Sequence, residues 1–126
     1  RGDCRGETGD DWDSAEPKEF LSIQDRICRG CYKLQEWNPN LKIILLANPL
    51  AVKGWKNKWG CCNDVITEMN NRLKSLADWE HVFYIDVNDV VGDGAGNLNP
   101  DYKSGDYHVS AKGNSLIAEW LYTKGV

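Results

Sequence analysis

The chain has 126 residues, with 15 Lys+Arg against 19 Asp+Glu and a net charge of −4. That length fits one domain and excludes two of ordinary size. The mildly acidic balance, spread without long runs, argues against nucleic acid or an anionic membrane surface as a partner, and no apolar run approaches the ~18 residues of a membrane span.

The first segment, RGDCRGETGDDWDS, is polar and rich in glycine. Its Arg1-Gly2-Asp3 spells an integrin-type tripeptide, but three residues match by chance often, and chain ends are expected to fray. Asp13-Ser14-Ala15-Glu16-Pro17 reads as a helix start: Asp13 or Ser14 can cap, and proline suits the first turn. Phe20, Ile23, Ile27, Tyr32 and Leu34 predict its apolar stripe, and Asn38-Pro39-Asn40 ends it. Leu41–Ala47 is a continuous apolar run, as expected of a parallel strand covered on both faces.

Asn48-Pro49 opens a long loop that carries Trp55 and Trp59. A second helix is predicted from about Cys62 to Ala77, with Val65, Ile66, Met69, Leu73 and Leu76 on one face. His81–Val87 reads as a second buried strand. A loop rich in glycine and asparagine runs from Gly92 to Tyr107, and a last helix starts near Ser110. Helix, strand, helix, strand, helix implies an α/β fold with parallel strands joined by right-handed crossovers. Two strands make a poor sheet, so both are expected to belong to a larger one.

The five cysteines are Cys4, Cys28, Cys31, Cys61 and Cys62. Cys28-x-x-Cys31 lies within a predicted helix rather than at a strand end, and adjacent Cys61 and Cys62 strain tetrahedral zinc ligation. Buried thiols or disulfides are the simpler reading. If the two strands are neighbours, the first two helices share a face, and Cys28 or Cys31 is expected to approach Cys61 or Cys62. Read as disulfides, the cysteines point to an extracellular or secreted setting. Asp89, Asp93, Asn97 and Asn99 offer oxygens to a cation, without the spacing of a calcium loop.

The chemistry is expected in Asp106-Tyr107-His108-Val109-Ser110-Ala111-Lys112-Gly113. Loops at the carboxyl ends of parallel strands form reaction clefts. There His108 is a candidate general base, with Asp106 to orient it and stabilise the imidazolium. Read alone, His108 is a loop histidine and Ser110 a helix cap.

From Trp37 onward the chain resembles the C-terminal part of the SGNH (GDSL-type) hydrolases. The resemblance is carried by Asn38-Pro39-Asn40-Leu41-Lys42-Ile43-Ile44, by Asn48-Pro49 at a strand end, by Tyr84-Ile85-Asp86-Val87, and by the Asp106–Gly113 block. It implies a flavodoxin-like three-layer α/β/α sandwich and hydrolysis of carboxyl esters, often acetyl groups on carbohydrate, without a metal or cofactor. It implies His108 and Asp106 as catalytic residues. Trp55 and Trp59 are a candidate rim for a sugar or acyl substrate.

The departures are specific. The family's aspartate lies three residues before the histidine, where this chain has Gly105. The asparagine block that supplies an oxyanion-hole donor finds its nearest match in Gly9-Asp10-Asp11-Trp12, where a carboxylate would repel a developing oxyanion. The Gly-Asp-Ser nucleophile block is absent, and Ser14, Ser22, Ser75, Ser104, Ser110 and Ser115 lie in the wrong context for it. Residues 1–126 therefore read as a single, incomplete domain of this type, the serine nucleophile coming from a second chain or a missing segment. The alternative is a non-catalytic binding or structural module on the same scaffold.

Overall fold

In the computed structural model the described residues are 17–58, 60, 62–78 and 80–125, with side chains from 26 onward, Asp78 excepted. The Arg1-Gly2-Asp3 tripeptide, Cys4, the expected oxyanion segment Gly9, Asp10 and Asp11, the predicted first helix cap, Trp59 and Cys61 lie outside the described residues.

Helix α1 (Pro17–Trp37) stops where Asn38 and Pro39 follow, since the residue before a proline is pushed out of the helical region. Strand β1 (Ile43–Leu46) leads through a long loop to α2 (Asn63–Ser75), which ends in a 3-10 turn over Leu76–Asp78. Strand β2 (Val82–Ile85) is followed by a short helix α3 (Asn88–Val91). β1 and β2 pair in parallel with Ile43 opposite Val82 and Leu46 opposite Ile85. A two-stranded antiparallel hairpin, β3 (Lys103–Ser104) and β4 (His108–Val109), precedes the final helix α4 (Ala111–Thr123). The order is α/β, with a small parallel sheet.

One face of the sheet forms a core. Leu73, Leu76 and Val82 are buried there, and Ile27 and Cys28 of α1 pack against them with Ile43, Leu45 and Tyr84. Both helices thus cover the same face. The other face differs from expectation: Ile44, Leu46 and Phe83 stay 40%, 44% and 48% exposed. Successive side chains on a strand point to opposite faces, so the apolar runs mark strands built for two covered faces, of which the described residues cover one. The described residues do not form a complete three-layer sandwich.

The apolar stripe of α1 is also corrected. Tyr32 is 62% exposed while Cys31 is buried. Tyr32 lies five residues beyond Ile27, about 140° round the helix, whereas Cys31 at i+4 returns to the inner face. Burial, then the neighbouring Cys28, pushes the Cys31 thiol up.

The expected inter-helix disulfide is absent among the described residues: Cys28, Cys31 and Cys62 are all free. Cys28 packs beside Leu73 and Leu76 at the C-terminal end of α2, and Cys62 is its N-cap. Eleven residues of helix separate Leu73 from Cys62, about 16 Å at 1.5 Å per residue, beyond the ~7 Å that a disulfide spans between Cα atoms. No described helix is long and apolar enough to cross a membrane.

Candidate active site

His108 is presented by the hairpin. Ser104 pairs with His108 and Lys103 with Val109, so Gly105, Asp106 and Tyr107 make the turn. Gly105 takes φ +69°, a left-handed conformation that glycine enters without a Cβ penalty. The backbone thus favours glycine at the position three before the histidine, where the resemblance led to an aspartate. After β4, Ser110 caps α4: its Oγ accepts from the Gly113 N–H at 3.2 Å, and its own N–H donates to the Tyr102 carbonyl at 2.7 Å.

Gly113 is the tightest point of this junction. A Cβ there would lie 2.5 Å from Val109 Cγ1 and 3.0 Å from Tyr102 Cβ. Overpacking of this kind costs about 1–3 kcal/mol. Gly113→Ala is expected to lower the unfolding free energy by that amount, read from the midpoint shift of a denaturant titration; an unchanged midpoint would show that the junction yields freely.

The Trp55 loop reaches the same place. The Val52 N–H donates to the Asp106 carbonyl at 2.9 Å. Trp55 lies against Tyr107, ring centroids 4.8 Å apart and planes at 32°, and Tyr107 lies against His108 at 4.4 Å and 37°. Trp55, Tyr107 and His108 form a continuous aromatic row. Asp106 and His108 are exposed, and no side-chain hydrogen bond or ion pair joins them among the described residues.

A set of asparagines holds that loop. Asn70 Oδ1 accepts from the Asn48 N–H at 2.8 Å, and Asn70 Nδ2 donates to the Asn48 carbonyl at 2.9 Å. Asn88 Oδ1 accepts from the Leu50 N–H at 2.9 Å, and Asn88 Nδ2 donates to Asp86 Oδ1 at 3.0 Å. Asn63 takes both backbone groups of Ala51 at 2.8 Å and donates to Asn97 Oδ1 at 3.1 Å. Side chains thus replace the ladder bonds that an irregular segment cannot make for itself. Sequence reasoning missed these residues and Tyr107. A signal existed for Asn70, which sits on the face of α2 defined by Ile66, Met69 and Leu73.

Asp93, in the loop that offered oxygens to a cation, spends its carboxylate on its own turn. The Asp93 carboxylate accepts from the Ala95 N–H at 2.7 Å and from the Asn97 N–H and Nδ2 at 3.1 Å, and the Ala95 bond leads in holding its carboxyl below the ordinary range. Among the described residues, no three His, Cys, Asp or Glu side chains are grouped to hold a metal ion.

A second concavity of about 480 Å³ lies between α2 and α3, lined by Thr67, Lys74, Tyr84, Asp86 and Asp89 among others. Trp55, Tyr107 and His108 do not line it. Burial first, then Asp86 and Asp89, pushes the Tyr84 phenol up to about 12. The folded chain therefore keeps this phenol neutral where the unfolded chain ionises it. Stability present below pH about 10 is lost as pH rises from about 10 through 12. One of the five tyrosines is expected to titrate late in phenolate absorbance, with the unfolding midpoint falling across that interval.

The fold and the histidine hairpin define the class: an α/β scaffold on parallel strands, with a candidate base before its last helix. Solved structures share this fold. A Streptococcus pneumonia protein provisionally described as a platelet activating factor matches with TM-score 0.72 at 19% identity, over 83% of this chain and 51% of its own. A Bacteroides fragilis protein provisionally described as an acylhydrolase matches with TM-score 0.64 at 23% identity, over 84% of this chain and 50% of its own. A salicylyl-acyltransferase from a tetracycline biosynthetic pathway matches with TM-score 0.52 at 18% identity, over 87% of this chain and 34% of its own. The chain spans about half the length of the first two. No family model and no curated protein matches it. The likeness to these structures shows a shared fold.

Proposed function

We propose that this chain is the C-terminal portion of an SGNH-type serine esterase, bearing the catalytic histidine, with the nucleophile supplied from outside these residues. The observation that supports it best is the position of His108, on a hairpin leading directly into the capped helix α4, within a fold shared with a protein described as an acylhydrolase. In this reading the serine hydroxyl attacks the ester carbonyl while His108 takes its proton, and the imidazolium returns that proton to the departing alcohol. Water, deprotonated by His108, then releases the acid and restores the serine. Asp106 stabilises the imidazolium from the same turn. Trp55 edges the substrate, a small carboxyl ester or an acetylated carbohydrate.

Purification from the native source, followed by a serine-directed phosphonate, tests this. A co-purifying polypeptide or an additional covalently linked segment is expected to carry the label. An intact, complete assembly that takes up no label overturns the reading. A second reading, a binding or structural module without catalysis, is favoured by the missing hydrogen bond between Asp106 and His108. Ester hydrolysis by the 126-residue chain alone is expected to be negligible under both; robust turnover abolished by His108→Ala overturns both.

A further inference from the structure

We propose that Tyr107 is a positioning residue for His108, its ring fixing the imidazole in the absence of a carboxylate bond. The inference rests on the esterase reading for its consequence and on geometry for its substance. An exposed histidine on a hairpin is free to turn about both side-chain torsions. A general base gains from having that freedom removed before reaction, and a hydrogen-bonded carboxylate is the usual means. Here Asp106 makes no such bond among the described residues, and the backbone that would place an acid three before His108 instead turns through Gly105 at φ +69°.

The aromatic row occupies that gap. Adjacent residues of an extended strand point to opposite sides. Tyr107 belongs to the turn rather than to β4, so its ring can lie 4.4 Å from that of its neighbour. The Tyr107 ring also meets Trp55 at 4.8 Å, and Trp55 cannot swing away freely. Its loop is tied to the turn by the Val52–Asp106 bond at 2.9 Å and to α3 by the Leu50–Asn88 bond at 2.9 Å. A ring contact uses no hydrogen bond of the imidazole and so leaves both nitrogens of His108 for proton transfer, whereas a carboxylate would occupy one. The Trp55 loop thus acts on the base through Tyr107.

Nuclear magnetic resonance of the full chain tests this, with His81→Asn removing the signal of the other of its two histidines. The His108 ring protons are expected upfield of those of a free imidazole, with a cross-relaxation peak to the Tyr107 ring. Tyr107→Ala is expected to abolish both, Tyr107→Phe to restore both, and Trp55→Ala to lose part of the shift. Unmoved His108 resonances in Tyr107→Ala overturn the proposal. If that variant does not fold, a missing Tyr107–His108 peak in the unsubstituted chain overturns it. In the completed enzyme, Tyr107→Ala is expected to lower kcat with little change in KM, and Tyr107→Phe to recover it. An assembly without any esterase activity defeats the esterase reading while the resonance result still decides the positioning.

Discussion

His108→Ala in the completed assembly is expected to lower kcat/KM for a small carboxyl ester by about 10²–10⁴-fold, the range that a positioned general base contributes. The stability of the chain should fall by no more than about 0.5–1.5 kcal/mol, the range of one aromatic pair, here that with Tyr107. Asp106→Asn should cost far less, within about tenfold, because an exposed carboxylate without a hydrogen bond to the imidazole acts through water. Steady-state kinetics on the two variants separates the roles. Equal losses would mean that Asp106 closes onto His108 when substrate binds, and a His108→Ala assembly with undiminished turnover would remove His108 from the mechanism.

Asn70→Ala should produce the largest loss of stability. Asn70 is 6% exposed and satisfies both backbone groups of Asn48, at 2.8 and 2.9 Å. Alanine leaves the half-buried Asn48 N–H without this acceptor, at up to about 1–3 kcal/mol for an unsatisfied group, and the cavity adds to it. A total of about 2–4 kcal/mol corresponds to a fall in Tm on the order of 10 °C for a chain of this size. Asn71, next along α2 but exposed, provides the control: Asn71→Ala should stay within about 0.5 kcal/mol. Equal losses at the two positions would show that the asparagine clamp holds nothing. The clamp also reaches the site, because the segment it grips continues to Val52, bonded to Asp106, and to Trp55, whose ring lies against Tyr107.

Several elements were legible because their signals are local. Pro39 marks the end of α1, Ser110 is a strong cap for α4, and the two apolar runs announce parallel strands. Other features depend on what surrounds an element. Continuous apolar strands imply two covered faces, yet Ile44, Leu46 and Phe83 remain open; what lies against a face is a property of the whole assembly. The expectation of an inter-helix disulfide failed among the described residues for a similar reason. A shared helix face brings α1 and α2 together, but it does not set their axial offset, and the offset puts Cys28 beside Leu73 rather than beside Cys62.

The site divides along the same line. From residue order alone, His108 stands two residues before a helix cap, in a block that resembles a hydrolase motif, with a glycine where an acid was expected. Periodicity and capping act within a few residues, and the chain states them directly. That Trp55 reaches Tyr107 and Tyr107 reaches His108 depends on residues more than fifty positions apart, joined by the Val52–Asp106 backbone bond and by Asn63, Asn70 and Asn88 gripping an irregular loop. Such contacts arise only when the loop closes over the strand ends. Composition and spacing carry no record of that closure, because an asparagine that bonds to water and one that holds a buried backbone are the same letter.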